Sequence, residues 1–143
     1  MKVVYPVCFY EEKEGGYSAF VPDFDYSTTC GDTLEEVMYM AEDLIAGLVL
    51  DKMEKKEKVP NASKIEAVSF KKLEEYLEDN DWNYMNKFKT YIMVDVTEFA
   101  EKWGKNLVKK TLSIPKWLNT KAEDLNINFS KTLQEALLQK IMQ

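Results

Sequence analysis

Apolar positions change period several times along this 143-residue chain, and the changes mark out its elements. Residues 3–10 (VVYPVCFY) are apolar almost throughout and rich in β-branched and aromatic types, which predicts a mostly buried strand. Pro6 would remove a ladder hydrogen bond from a central strand, so an edge or a bulge is expected there. EEKEGG, ending in Gly15-Gly16, suits a hairpin connection, and Tyr17 to Val21 reads as the second strand, stopped by Pro22 and the polar run DFDYSTT. Thr33 and Glu36 then form a capping box. Behind it Leu34, Val37, Met38, Ala41, Ile45 and Leu48 recur at three- and four-residue spacing, one apolar stripe of a helix. Asp51 to Lys58 is a charged exit closed by Pro60. From Lys64 the pattern weakens to a short strand over Ile65–Phe70 and a short helix over Leu73–Leu77. Thr90 to Val96 predicts a third strand, and 97–104 a helix ending at a hinge, Gly104.

The last 39 residues are patterned differently. Val108, Lys110, Leu112 and Ile114 alternate with Lys109, Thr111 and Ser113, as in an extended strand. Pro115 ends that strand and fits the first position of a helix. Leu118, Ala122 and Leu125 share one helical face. Asn128 or Ser130 can cap a second helix whose stripe is Phe129, Leu133, Ala136, Leu137 and Ile141. The fold class is therefore α+β, with domains expected at 1–104 and 105–143.

A unit of ~40 residues rarely buries a stable core alone. The economical solution is a homodimer in which two such strands pair antiparallel. Val108, Leu112 and Ile114 would then face inward with Leu118, Phe129, Leu133 and Leu137, and Trp117 would pack between strand and first helix. Lys109, Thr111 and Ser113 would face outward on a ribbon of the size that enters the DNA major groove. Asn128 and Ser130, at the start of the second helix, would offer its free N–H groups to a phosphate. A plain oligomerisation tail fits the same pattern, as does a helix-turn-helix over KAEDLNINFSKTLQEAL, although the latter leaves the strand without a role.

Charge sharpens the division. The chain carries −6 overall, but 105–143 has seven lysines against three acids (+4), whereas 1–104 has 12 lysines and 22 acids (−10). An acidic half fits a basic partner and a basic tail fits nucleic acid. The sequence has no histidine and no arginine. Imidazole catalysis and histidine metal sites are thereby excluded, and phosphate contacts fall to lysine, hydroxyls, amides and backbone N–H groups. Cys8 and Cys30 read as reduced thiols, which favours the cytosol, and no run of ~18 apolar residues predicts a membrane span. No cofactor motif is present. Asp23, Asp25, Glu42, Asp43 and Asp95 could be assembled into a metal-dependent nuclease site, but 25 acids supply such a set by chance.

The tail resembles ribbon-helix-helix proteins through KKTLSIP, KWLN and INFSKTLQEAL, and the N-terminal half resembles the HicB domain through GYSAFVPDF and TTCGDTLEEV. Together they are similar to a HicB-type antitoxin over roughly 1–50 and 90–143. Pro22-Asp23 and Gly31-Asp32-Thr33 match the family pattern. Asp25-Tyr26 stands where Pro-Gly is common. The resemblance implies a partial ribonuclease-H-like N-terminal domain that binds and masks a HicA-type mRNA-cleaving toxin. It also implies a tail that dimerises, binds operator double-stranded DNA and represses its own operon, with dimers of dimers expected. Such a protein is not an enzyme. The alternative is a stand-alone ribbon-helix-helix regulator whose N-terminal domain senses a ligand or a protein.

Overall fold

A computed structural model describes residues 1–77, 82–103 and 108–142. The chain divides into two compact units, one spanning Lys2–Val96 and the other Thr97–Gln143 together with Met1. The domain boundary expected at 104/105, the hinge at Gly104 and the side chain of Trp103 lie outside the described residues.

The first unit is built on a four-stranded antiparallel sheet of order β3-β2-β1-β4, comprising β1 (Lys2–Glu12), β2 (Tyr17–Val21), β3 (Ser27–Gly31) and β4 (Tyr84–Asp95). The β1–β2 hairpin turns at Gly15 and Gly16, whose φ values of 102° and 81° suit glycine. Pro6 belongs to a central strand. It lies where β1 pairs with β4 alone, below Cys8, where pairing with β2 begins. Its missing N–H therefore removes no rung to β2, the local-edge condition that a strand proline needs.

Alternation along β1 sends Tyr5, Val7 and Phe9 to one face and Cys8 and Tyr10 to the other, all of them buried. Helix α1 (Leu34–Glu54) lies against β2, β3 and β4 and buries Val37, Ala41, Ile45, Ala46 and Val49. Its N-terminus is capped as the sequence predicts, with Thr33 Oγ1 accepting from the Glu36 amide at 3.1 Å. The Glu36 carboxylate reaches back one residue further than the standard box, to the Asp32 amide at 3.0 Å. Val37, Ala41 and Ile45 of the expected stripe are buried, but its other members are not. Leu34 is exposed and Leu48 half-buried, because the helix meets the sheet through a strict four-residue repeat from Val37 to Val49.

The opposite face carries a second cluster of Cys8, Tyr10, Phe20, Val68 and Leu73, flanked by Tyr26, Phe70, Leu77, Trp82 and Tyr84. Leu73 belongs to α2 (Phe70–Leu77). Three expectations are corrected here. The polar run after Pro22 contains a strand, β3, which sits at the sheet edge and buries neither side fully, so its STTCG shows no hydrophobic alternation. Residues 65–70 form a 3-10 turn (Ile65–Ala67) and the start of α2 instead of a strand. β4 begins six residues before Thr90, because Lys87 and Lys89 occupy ladder positions with their amines bonded to groups above the sheet.

The second unit contains α3 (Val96–Trp103), which begins one residue before the unit itself, α4 (Lys116–Asp124) and α5 (Phe129–Ile141). Pro115 is the cap of α4, one position earlier than expected. Residues 108–115 form no β-ladder in the single chain; a ladder requires a second strand, and the described residues offer them none.

Candidate functional site

Two sets of residues, one in each unit, carry the chemistry. On the tail, Lys109, Thr111 and Ser113 are all exposed. Asn128 is the cap of α5, its Oδ1 accepting from the Lys131 amide at 3.0 Å. Ser130, also exposed, lies in the first turn of that helix. The hydroxyls, amines and free N–H groups needed to contact a phosphate backbone are therefore accessible.

The apolar set is accessible too. Val108 is 78% exposed, Leu112 63%, Trp117 70% and Leu137 52%, and Ile114, Leu118 and Phe129 also lie open. Leu133 is half-buried. Trp117 thus does not pack between strand and helix in the single chain. From Val108 to Met142, Ala122 is the only buried residue described. An isolated chain leaves this surface in water, far beyond the scattered apolar residues normal on a monomer.

In the N-terminal unit the polar groups organise around Glu74. Its Oε1 accepts from Lys87 Nζ at 2.8 Å, Tyr84 OH at 3.0 Å and Tyr10 OH at 3.2 Å, and Lys87 also donates to the Tyr84 hydroxyl at 3.1 Å. Burial pushes the Glu74 carboxyl up, but the bonds from Lys87, Tyr84 and Tyr10 outweigh it and hold its pKa below the ordinary value. The bond to Glu74 raises Lys87 in turn. Tyr10 is raised strongly, first by burial and then by the Glu74 charge. Burial also pushes the Cys8 thiol up to about 11, against a smaller opposing effect of Lys89, and the fully buried side chain packs in the core. Trp82 donates from Nε1 to both Glu12 oxygens, at 3.0 and 2.9 Å. No short motif marks this network, because its members come from β1, α2 and β4.

The carboxylates weighed for a nuclease are not assembled. Among the described residues no three Asp, Glu or Cys side chains are grouped to hold a metal. Asp23 instead accepts from the Ser63 amide at 2.9 Å and from the Ser63 hydroxyl, tying the loop before α2 to the turn after β2. Asp25 and Tyr26, where the family pattern departs, both have positive φ (52° and 56°), the backbone that a glycine would take without strain. No described helix is long and apolar enough to cross a membrane.

The HicB-like antitoxins of bacterial toxin–antitoxin systems match residues 4–71, which span β1 to the start of α2 and contain both the β1–β2 hairpin and the capped α1. A chain of a toxin–antitoxin complex from Streptococcus pneumoniae is 31% identical and matches over 98% of this chain and 99% of its own, with a TM-score of 0.65. The chain belongs to the HicB-like antitoxin family. The crystal structure of the Burkholderia pseudomallei antitoxin HicB is similar in fold, with 19% identity and a TM-score of 0.53 over 96% of this chain and 98% of that one. Among curated proteins none matches. The match of this HicB-like antitoxin to the Streptococcus pneumoniae chain includes the tail as well as the sheet.

Proposed function

We propose that this antitoxin neutralises a HicA-type mRNA-cleaving toxin through its N-terminal unit and represses its own operon through its tail. In this reading the tail is a ribbon-helix-helix dimer that binds operator DNA in the major groove. The observation that carries it is the open apolar surface of the tail, where Ala122 alone is buried among the described residues. Two tails pairing residues 108–114 antiparallel would enclose Leu112, Ile114, Leu118, Phe129 and Leu137 and gain the ladder that one chain lacks. That pairing turns Lys109, Thr111 and Ser113 outward on both strands, and Asn128 and Ser130 flank them at the start of α5. The charge distribution supports the same division, with −10 over 1–104 facing a toxin that must bind RNA and +4 over 105–143 facing DNA. The Streptococcus pneumoniae relative, itself part of a toxin–antitoxin complex, supports a protein partner.

The test is co-expression with the product of the adjacent small open reading frame, followed by operator binding. A tight complex that relieves toxicity is expected. Absence of both complex and toxicity would leave a stand-alone regulator. Replacing Lys109 and Thr111 with alanine should weaken specific operator binding by ~1–3 kcal/mol per base contact while the dimer persists. Unchanged affinity in that double variant would take the ribbon out of DNA recognition.

A further inference from the structure

The charge of the N-terminal unit is divided along its length. The β1–β2 hairpin meets the start of α1, since a Cβ on Gly16 would lie 3.1 Å from the Gly31 carbonyl oxygen and 3.9 Å from the Asp32 Cα. Glu11, Glu12, Glu14, Asp32, Glu35 and Glu36 therefore gather at that end. α1 has 21 residues and so spans roughly 30 Å, which carries the chain to the other end of the sheet. There the balance reverses. Residues 52–72 hold seven lysines against three acids, a +4 island in a half that carries −10.

Within this island residues 57–64 have no regular structure, yet they are pinned. The Pro60 carbonyl accepts from the Tyr5 hydroxyl at 2.6 Å, and the Ser63 amide donates to the Asp23 carboxylate at 2.9 Å. Next to them the Ile65 amide donates to the Tyr91 hydroxyl at 2.7 Å. The result is a strap held against the sheet, with Lys58 and Lys64 exposed. α1 ends just before it, the Glu57 amide bonded to the Lys52 carbonyl and the Lys56 amide to the Met53 carbonyl. Such an ending usually has glycine at its left-handed position, but here Lys56 occupies it at φ 59°. Lysines in a last helical turn favour the helix dipole, and Lys52 and Lys55 are also paired, with Glu57 and Asp51. Lys58 and Lys64 lie beyond that turn, and no ion pair among the described residues engages them or Lys56. Neither the helix end nor pairing accounts for them.

Three such amines on a pinned backbone fit a row of phosphates. Residues 55–64 include no arginine for bidentate base contact and no aromatic side chain, so they offer a single strand nothing to stack on. We propose that Lys56, Lys58 and Lys64 form a second nucleic-acid contact, one that grips the backbone of double-stranded DNA without regard to its sequence. For its place of action this rests on the DNA-binding reading of the tail: a tail on its operator would hold the strap at high local concentration near the flanking duplex. The tail then supplies preference, and the strap supplies affinity and salt dependence.

The test is binding of the full chain to two duplexes across a salt series, the DNA directly upstream of its own coding sequence and a mixed-sequence duplex of the same length. The strap variant combines Lys56→Gln, Lys58→Gln and Lys64→Gln, all at exposed positions, with the fold checked by circular dichroism. It should weaken binding to both duplexes by the same factor. Its plot of log affinity against log salt should be shallower by ~0.9 for each lysine that engages a phosphate. Lys109→Ala with Thr111→Ala should instead reduce the preference for the upstream duplex and leave salt-dependent binding to mixed sequence. A strap variant with unchanged affinity and slope on both duplexes would overturn the proposal. So would a larger loss on single-stranded RNA than on duplex DNA, because RNA would then be the occupant. Loss of a co-expressed toxin with DNA binding intact would overturn it as well. If the ribbon variant keeps its preference while the strap variant flattens the salt slope, the tail reading fails and the strap contact stands.

Discussion

Replacing Glu74 with alanine removes the one carboxylate shared by α2, β1 and β4. Its oxygen accepts from Lys87 at 2.8 Å, Tyr84 at 3.0 Å and Tyr10 at 3.2 Å. The ion pair itself contributes modestly, because the Glu74 and Lys87 side chains are 31% and 33% exposed; ~0.5–1 kcal/mol is appropriate. The larger loss lies at Tyr10, a fully buried residue whose hydroxyl would be stranded, at ~1–3 kcal/mol. Because the contacts share one acceptor they do not add, and ~2–3 kcal/mol is expected overall. The loss should register locally, as a fall in the opening free energy of the Phe70–Leu77 amides in native-state hydrogen exchange of the intact chain. Glu74→Gln should fall between, since a neutral amide oxygen still accepts from the tyrosines. Lys87→Met should cost less than Glu74→Ala, because the carboxylate it leaves is partly hydrated. An alanine variant within ~0.5 kcal/mol of the natural protein, or a lysine variant worse than it, would refute the assignment of the loss to Tyr10.

The same group sets a pH dependence. Glu74 has a folded pKa below its ordinary 4.5, so its contribution is present above that value and fades as pH falls through the folded pKa; exchange from α2 should accelerate there, and Glu74→Gln should flatten the response. Gly31→Ala would place a Cβ 2.6 Å from the Val37 amide nitrogen and 2.9 Å from its Cα, where no flexible side chain can yield, so ~1–3 kcal/mol should be lost in urea unfolding. A neutral result would mean that β3 and α1 separate easily. Asn128→Ala removes the α5 cap and should cost ~0.5–2 kcal/mol, visible as fraying of the Phe129–Lys131 amides, while Asn128→Ser should retain most of it. Leu112→Glu should abolish tail dimerisation by placing a charge between paired strands, and a tail contact that survives in sedimentation would exclude Leu112 from the interface.

Local chemistry was legible in the sequence where one short segment held the whole cause. Thr33 and Glu36 announce the start of α1, Gly15-Gly16 the hairpin, and Asn128 the second tail helix, because donor and acceptor lie within four residues of each other. β3 was hidden because an edge strand with neither side fully buried needs no apolar alternation. Residues 65–70 were misread because Ile65, Val68 and Phe70 are spaced by contacts with Tyr91, Lys89 and Tyr10, which lie elsewhere in the chain. Glu74 was invisible for the same reason, since each of its partners comes from another element. Of the tail, the two helices and the Asn128 cap were legible. The strand expected over 108–114 is not formed within one chain, and the pairing proposed for it is visible in a single sequence only through its alternation.

The scarcity of buried residues in the tail has a consequence for how the protein responds to its own abundance. The unit around the sheet carries nearly all of the described core, including Tyr10, Phe9, Ile45 and Leu73, and closes that core within one chain. Between Val108 and Met142 only Ala122 is withdrawn from water, so with the tail dimer proposed above order there would follow mass action. In that reading the tail would be the part that lapses first when copies become scarce, and any task proposed for it would lapse with it, while the sheet unit keeps its own core. Copy number would thereby be converted into a choice between one working half and two.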